Sequence, residues 1–206
     1  MNRDYKAETL ETYNSISQVF DRKFEEHFYV YCLDLADDFL ASLNGRRILD
    51  LGSGSGIASE YFLRKGYSPL CFDNSEGMLE LCNQKGLVTC KGDIEELDLP
   101  ELFDGIWAYA SLLHIPKKNL ISVIERVRSH LNPFGKVAIS LKEGEGEGFV
   151  KTKNHPESER YFAYYKDEEV RELFSDFHLL SSSKTSRVKS DGGSVFLNYL
   201  FGVKIH

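Results

Sequence analysis

Several things are scarce in this chain of 206 residues, and each scarcity removes a class of protein. No apolar run approaches the ~20 residues needed to span a bilayer, so a membrane bundle is not expected. Basic residues do not exceed acidic ones: 25 Lys+Arg stand against 32 Asp+Glu, a net charge of −7. A general nucleic-acid binder usually shows the opposite surplus. The four cysteines, Cys32, Cys71, Cys82 and Cys90, form no C-x-x-C pair, and none has a histidine at zinc-finger spacing, so no metal site is expected. They read as free thiols, with Cys71 and Cys90 in apolar, strand-like runs. Only 5 prolines and 16 glycines are present, too few for collagen or low-complexity disorder. The N-terminus leads into polar sequence instead of an apolar signal core. A single cytoplasmic domain in a reducing setting is the expectation.

The glycines that are present are spent unevenly. Three fall at Gly52, Gly54 and Gly56, and three more at Gly144, Gly146 and Gly148. Around them the chain divides. Residues 5–43 carry an apolar stripe at three- and four-residue steps and read as helical, stopped by Asn44-Gly45. From there strands and helices alternate. Strands are expected at 47–51, 68–73, 87–90, 103–109 and 136–141, and helices at 57–65, 75–85 and 120–131. A turn is expected at Asn132-Pro133-Phe134-Gly135. Such alternation implies right-handed βαβ crossovers and a parallel sheet. After 142–166, where alternating Glu and Gly does not read as a packed strand, Asp167 opens a short helix. Two strand-like runs then flank Asp191-Gly192-Gly193 as a hairpin.

Ile48-Leu49-Asp50-Leu51-Gly52-Ser53-Gly54-Ser55-Gly56 is a strand feeding a glycine turn and a helix. Glycine permits a tight turn and close backbone approach to a ligand, and the helix start offers free N–H groups. The dinucleotide fingerprint wants Gly or Ala where this chain has Ile57. Asp73 ends the next strand, placed to take the hydroxyls of a ribose. Together these features point to a nucleoside cofactor.

The ordered motifs are Leu49–Gly56, then Phe72-Asp73-Asn74-Ser75 with Met78-Leu79, then Lys91-Gly92-Asp93-Ile94. Phe103–Trp107, Leu112-Leu113-His114-Ile115 and Leu131–Lys136 follow. In this order they resemble the class I S-adenosylmethionine-dependent methyltransferases, across about residues 45–141. One departure is Phe134, where the family usually has a second glycine. The resemblance implies a Rossmann-like α/β fold: a seven-stranded, mostly parallel sheet with an antiparallel last strand and helices on both faces. It implies S-adenosylmethionine as cofactor and a small-molecule acceptor methylated at O, N or S. The backbone of Gly52, Ser53 and Gly54 would meet the methionine part, with Asp50 near its ammonium. Asp73 and Asn74 would meet the ribose, and Met78, Asp93 and Ile94 the adenine. Ala110 and Ser111 would line the sulfonium cleft. Tyr13, with Phe20, would cover it from an N-terminal helical lid.

The domain divides by this reading into a lid (1–44), a cofactor-binding core (45–141), an acceptor loop (142–166) and a C-terminal helix and hairpin (167–206). His114, Glu145, Arg160 and Tyr164 are the catalytic candidates. His114 is a possible base, and Arg160 a grip for an anionic acceptor. The run Lys142–Gly148 with the later Arg160-Tyr161-Phe162 resembles a bacterial subgroup of the family. Two other classes compete. One is a regulatory module that binds the cofactor without transfer. The other is a nicotinamide-dependent reductase, against which Ile57 and the missing Tyr-x-x-x-Lys pattern weigh. A nucleic-acid methyltransferase would show an N/D-P-P-Y/F motif where this chain has Tyr109-Ala110-Ser111-Leu112.

Overall fold

The computed structural model describes residues 3–152, 155–187 and 193–204, the side chains of 16–24, 152–158 and 187 being left aside. The Phe20 side chain and the turn residues Asp191 and Gly192 lie outside the described residues. In chain order the elements are α1 (Tyr5–Tyr31), α2 (Leu33–Ser42), β1 (Arg47–Leu51), α3 (Ile57–Arg64), β2 (Ser68–Asp73), α4 (Glu76–Gln84), β3 (Val88–Lys91), β4 (Phe103–Tyr109), α5 (Lys117–Ser129), β5 (Leu131–Glu143), β6 (Glu147–Thr152), β7 (His155–Tyr165), α6 (Asp167–Leu173), β8 (Phe177–Arg187) and β9 (Ser194–Val203).

Strands β3-β2-β1-β4-β5 run parallel in that order. On the far side of β5 lies β9, antiparallel to it, followed by β8. These seven strands are the sheet expected from the sequence, with the antiparallel last strand in place. β1 and β4 are buried along nearly their whole length, as strands covered on both faces must be. One face packs on α5 and α6 through Leu120, Val123, Val127, Val170 and Phe174. The other packs on α2, α3 and the end of α1 through Phe39 and Phe62, which meet Trp107, and through Phe28, which meets Tyr61.

The structure corrects four expectations. The helix read across 5–43 is two helices meeting at Cys32, which stays near helical geometry at φ −112° and ψ −18°. Helix α5 begins earlier and ends earlier than expected, because Leu131 already pairs with Phe103 in the sheet. The turn expected at 132–135 is an irregularity inside β5, where the register jumps from Leu131 opposite Phe103 to Lys136 opposite Gly105. The segment read as an acceptor loop is a β-hairpin, so the sheet has nine strands. β7 joins the end of β5 through Lys142 opposite Tyr164 and Glu143 opposite Tyr165, and β6 pairs with β7 outside it. Gly146, at φ +79°, makes the turn into β6 in a left-handed conformation that side chains disfavour.

Among the described residues no helix is long and apolar enough to cross a membrane. Among them too, no cluster of His, Cys, Asp or Glu is set to hold a metal ion.

Candidate functional site

Strand β1 ends at Leu51, and the chain folds back over β2. The N–H groups of Gly52 and Ser53 both donate to the Phe72 carbonyl, at 2.8 and 3.2 Å. Gly52 sits at φ +76°, and a Cβ there would lie 2.4 Å from Cβ of Ser111. Glycine is needed at this position because the backbone of the loop after β1 lies directly against the Ser111 side chain in the loop after β4. Next to Ser111 stands Ala110, the only non-glycine with positive φ (+54°) among the described residues. Backbone strain of this kind clusters at functional sites.

The end of β2 holds the loop in place. Asp73 accepts from the Gly54 N–H at 2.9 Å with one carboxylate oxygen and from the Ser75 N–H at 2.8 Å with the other. Burial raises its pKa, against the stabilising bonds from the Ser75, Gly54 and Asn74 amides. Asp50, in β1, is 3% exposed and accepts from the Ser59 hydroxyl at 2.7 Å. Burial first, then the neighbouring Asp73 charge, pushes its pKa up to about 7. Asp93, just past β3, accepts from the Glu95 N–H at 2.9 Å and pairs with Lys6 of α1 at 2.7 Å.

A cavity of about 560 Å³ opens over these strand ends, roofed by α1. Tyr13, Asp50, Gly52, Ser53, Gly54, Asp73, Asn74, Met78, Asp93, Ile94, Ala110 and Ser111 all line it. Polar contacts tie α1 down over it. Besides the Lys6–Asp93 pair, Tyr5 donates to Glu95, and the Ser75 hydroxyl donates to Asn14 at 2.6 Å.

The catalytic candidates separate. His114 and Arg160 line the cavity, whereas Glu145 and Tyr164 do not. Glu145 is exposed and pairs with Lys166 at 2.7 Å. Glu143 pairs with Lys184, and Glu147 accepts from the Lys117 N–H, so the three glutamates splay outward to separate partners. Tyr164 packs at the β5–β7 junction beside Gly144. Neither Glu145 nor Tyr164 meets the cavity, and their catalytic assignment is withdrawn.

His114 is also corrected. Its Nδ1 lies 2.7 Å from the Tyr161 carbonyl, which accepts only, so Nδ1 carries the proton. Nε2 then accepts from the Tyr13 hydroxyl at 2.8 Å, and Arg160 donates to that same hydroxyl oxygen at 3.1 Å. Burial, then the charges of Arg160 and Lys142, push the imidazole pKa down to about 3, against the Tyr161 carbonyl. This neutral ring with an engaged lone pair is a poor general base at neutral pH. It positions Tyr13.

Lys142 is the cavity residue that sequence reasoning passed over. It is 8% exposed, with Nζ 4.1 Å from the centre of the Phe162 ring. A signal was available: Lys142 stands near the C-terminal end of β5, and open α/β sheets bind ligands beyond their strand ends. Lys6, Glu95 and His27 also reach the cavity from places that no motif marked.

The chain is similar to known methyltransferases in sequence and in fold. Residues 48–135 match the family described as a methyltransferase domain. The ubiquinone biosynthesis O-methyltransferase of Schizosaccharomyces pombe mitochondria is 31% identical over 47% of this chain and 38% of its own length. The corresponding Paracidovorax citrulli enzyme is 28% identical over 55% of this chain and 50% of its own. The chain therefore spans about half the length, or less, of these relatives. Among solved structures, the Burkholderia thailandensis 1,6-didemethyltoxoflavin-N1-methyltransferase superposes with a TM-score of 0.70 at 20% identity, over 93% of this chain and 87% of that one. An S-adenosylmethionine-dependent methyltransferase from Clostridium acetobutylicum gives 0.70 at 17% identity, over 94% and 100%. Residues 48–135 are thus similar to a methyltransferase domain, and the chain has the fold of the class I S-adenosylmethionine-dependent methyltransferases.

Proposed function

We propose that the chain is an S-adenosylmethionine-dependent methyltransferase acting on a small-molecule acceptor. The observation that carries this reading is the row of carboxylates Asp50, Asp73 and Asp93. They stand at or just past the ends of three neighbouring strands and line one cavity with the glycine loop. The residues present fit the cofactor. The hydroxyls of Ser53 and Ser111 are buried without a hydrogen-bond partner among the described residues, and both residues line the cavity. Buried polar groups left in this way favour a polar ligand that satisfies them.

In this reading Asp73 holds the ribose hydroxyls, Asp93 and Ile94 the adenine edge, and Met78 the adenine face. Asp50 takes the amino group, and the Gly52–Gly54 backbone follows the methionine part. When bound, the cofactor supplies an electrophilic methyl group on a positively charged sulfur. The chain supplies orientation and exclusion of water, which is most of what such a displacement needs. Tyr13 and α1 close the cavity from above, and Ala110 and Ser111 form the wall where the acceptor meets the methyl group. The two sequence relatives are named as O-methyltransferases of ubiquinone biosynthesis, and the Burkholderia structure holds 1,6-didemethyltoxoflavin with S-adenosylhomocysteine. Both support a small-molecule acceptor here.

We also place the chain in the bacterial subgroup marked by the Lys142–Gly148 run, and in the cytoplasm. The hairpin that this run initiates and the four free cysteines support these two placements.

The test is transfer of labelled methyl from the cofactor to a small-metabolite extract. Labelled small product with the native chain, lost in Asp73→Ala, is the expected result. Equal labelling by both proteins, or label only in macromolecules, would overturn the reading. Saturable cofactor binding with no product would favour the regulatory module instead.

A further inference from the structure

We infer that helix α4 holds the glycine loop in the shape that receives the methionine part of the cofactor, through two positioning residues, Cys82 and Lys85. This deepens the methyltransferase reading above and rests on it.

The two residues take consecutive carbonyls of the loop. The Cys82 thiol, buried in α4, donates to the Gly54 carbonyl at 3.2 Å. The Lys85 ammonium, at the C-cap of the same helix, donates to the Ser55 carbonyl at 2.7 Å. Three residues apart, they stand on one face of the helix. The contact is tight: a Cβ on Gly56 would lie 2.8 Å from the Cys82 sulfur and 2.6 Å from the Leu87 side chain. Behind Cys82 lies Cys71 of β2, also buried and hydrogen-bonded to it. A carbonyl only accepts, so the Cys82 hydrogen is spent on Gly54, and Cys71 is the donor between the two thiols. That bond first, then burial, holds the Cys71 thiol above its usual range, so Cys71 keeps its proton.

The loop is thereby gripped from two sides. Phe72 and Asp73, at the end of β2, accept from the N–H groups of Gly52, Ser53 and Gly54. The next two peptides are held from α4. A trans peptide is planar, so a held carbonyl also fixes the N–H that follows it. Cys82 thus sets the direction of the Ser55 N–H. Lys85 sets that of Gly56, which donates to the Ser53 carbonyl at 3.0 Å and closes the turn. A loop rich in glycine is costly to order, and bonds made before the ligand arrives lower that cost. Helix α4 also carries Met78 into the cavity, and its N-cap Ser75 donates to Asn14 of α1. One element therefore spaces the adenine wall from the loop that follows the methionine part.

The experiment reads the loop without ligand and then with it. Amide hydrogen exchange on the full chain should speed up at Gly54 and Gly56, by about tenfold in Lys85→Met and about threefold in Cys82→Ala. It should stay unchanged at Leu79, whose N–H bonds to the Ser75 carbonyl within α4. Calorimetry then compares S-adenosylhomocysteine with adenosine, which lacks the methionine part. Each variant is expected to lose a similar factor for S-adenosylhomocysteine and to keep its adenosine affinity within about twofold. A merely structural fault in α4 would displace Met78 and lower both affinities together. Lys85→Arg and Cys82→Ser, which keep a donor, should recover most of the loss. If Cys82→Ala fails to fold, Lys85→Met decides. Unchanged loop exchange in Lys85→Met, equal losses for the two ligands, or faster exchange with unchanged affinity for S-adenosylhomocysteine would overturn the inference. A native chain that binds neither ligand would instead overturn the methyltransferase reading, on which the exchange measurement does not depend.

Discussion

Replacing Asp50 with Asn asks how much stability the site gives up to keep a buried carboxylate. Asp50 is 3% exposed, and burial first, then the Asp73 charge, raises its pKa from the usual 3.8 to about 7, against the hydrogen bond from Ser59. Between those two pH values the folded chain still holds a proton that the unfolded chain has released. Stability therefore falls as pH rises across that window and levels off above about pH 7. At ~1.4 kcal/mol per pH unit the loss is on the order of 4 kcal/mol. Asparagine has no charge to bury and keeps an oxygen for the Ser59 hydroxyl. Asp50→Asn is thus expected to be more stable than the native chain by roughly 2–4 kcal/mol at pH 8, with the difference vanishing near pH 4.

His114 acts in the opposite sense. Its pKa falls from 6.5 to about 3, so below 6.5 the unfolded chain takes up a proton that the folded chain refuses, and stability rises with pH there. The groups facing it are Tyr13 from α1, Arg160 and the Tyr161 carbonyl from β7, and Lys142 from β5. The two opposed slopes flatten the native profile in that window, and Asp50→Asn should unmask the rising limb. Urea unfolding followed by circular dichroism, from about pH 4 to about pH 8, reads both. A variant less stable than the native chain at the alkaline end, or a difference that does not change with pH, would refute the reasoning.

Other substitutions probe the rest of the site. Gly52→Ala sets a Cβ 2.4 Å from that of Ser111 and is expected to cost about 1–3 kcal/mol in unfolding and to weaken binding of S-adenosylhomocysteine. An unchanged melt would contradict the loop contact. Ala110→Gly relieves a residue at φ +54° and should raise stability by about 1 kcal/mol, measured by urea unfolding. Glu145→Gln breaks only an exposed pair with Lys166, so its melting temperature and turnover should match the native chain; a fall in turnover would bring Glu145 back to the site.

Most of the parallel sheet was legible because its strands are short apolar runs punctuated by glycine. Gly66 and Gly86 close α3 and α4 where the sequence places them, at φ +86° and +74°. The acidic positions were legible because strand ends in such a sheet mark the ligand side. The break at Cys32 was not, since Tyr31-Cys32-Leu33 contains no glycine or proline and the apolar stripe runs through it. The hairpin of β6 and β7 was hidden by its glutamates and glycines, which look like a solvated loop. It forms through backbone pairing to the end of β5, a non-local contact that no local pattern announces. The withdrawal of His114 as a base also lay beyond sequence. Its state depends on Tyr13 and Tyr161, partners 101 and 47 residues away.

The most direct test of the whole account is a calorimetric titration of S-adenosylhomocysteine into the native chain and into Asp73→Ala. The Asp73 carboxylate is placed to make charge-assisted bonds to a ribose, each worth about 1.5–3 kcal/mol. The account predicts saturable, one-to-one binding to the native chain and a loss of at least ~100-fold in the variant. No binding by the native chain, or equal affinity in both, would contradict it.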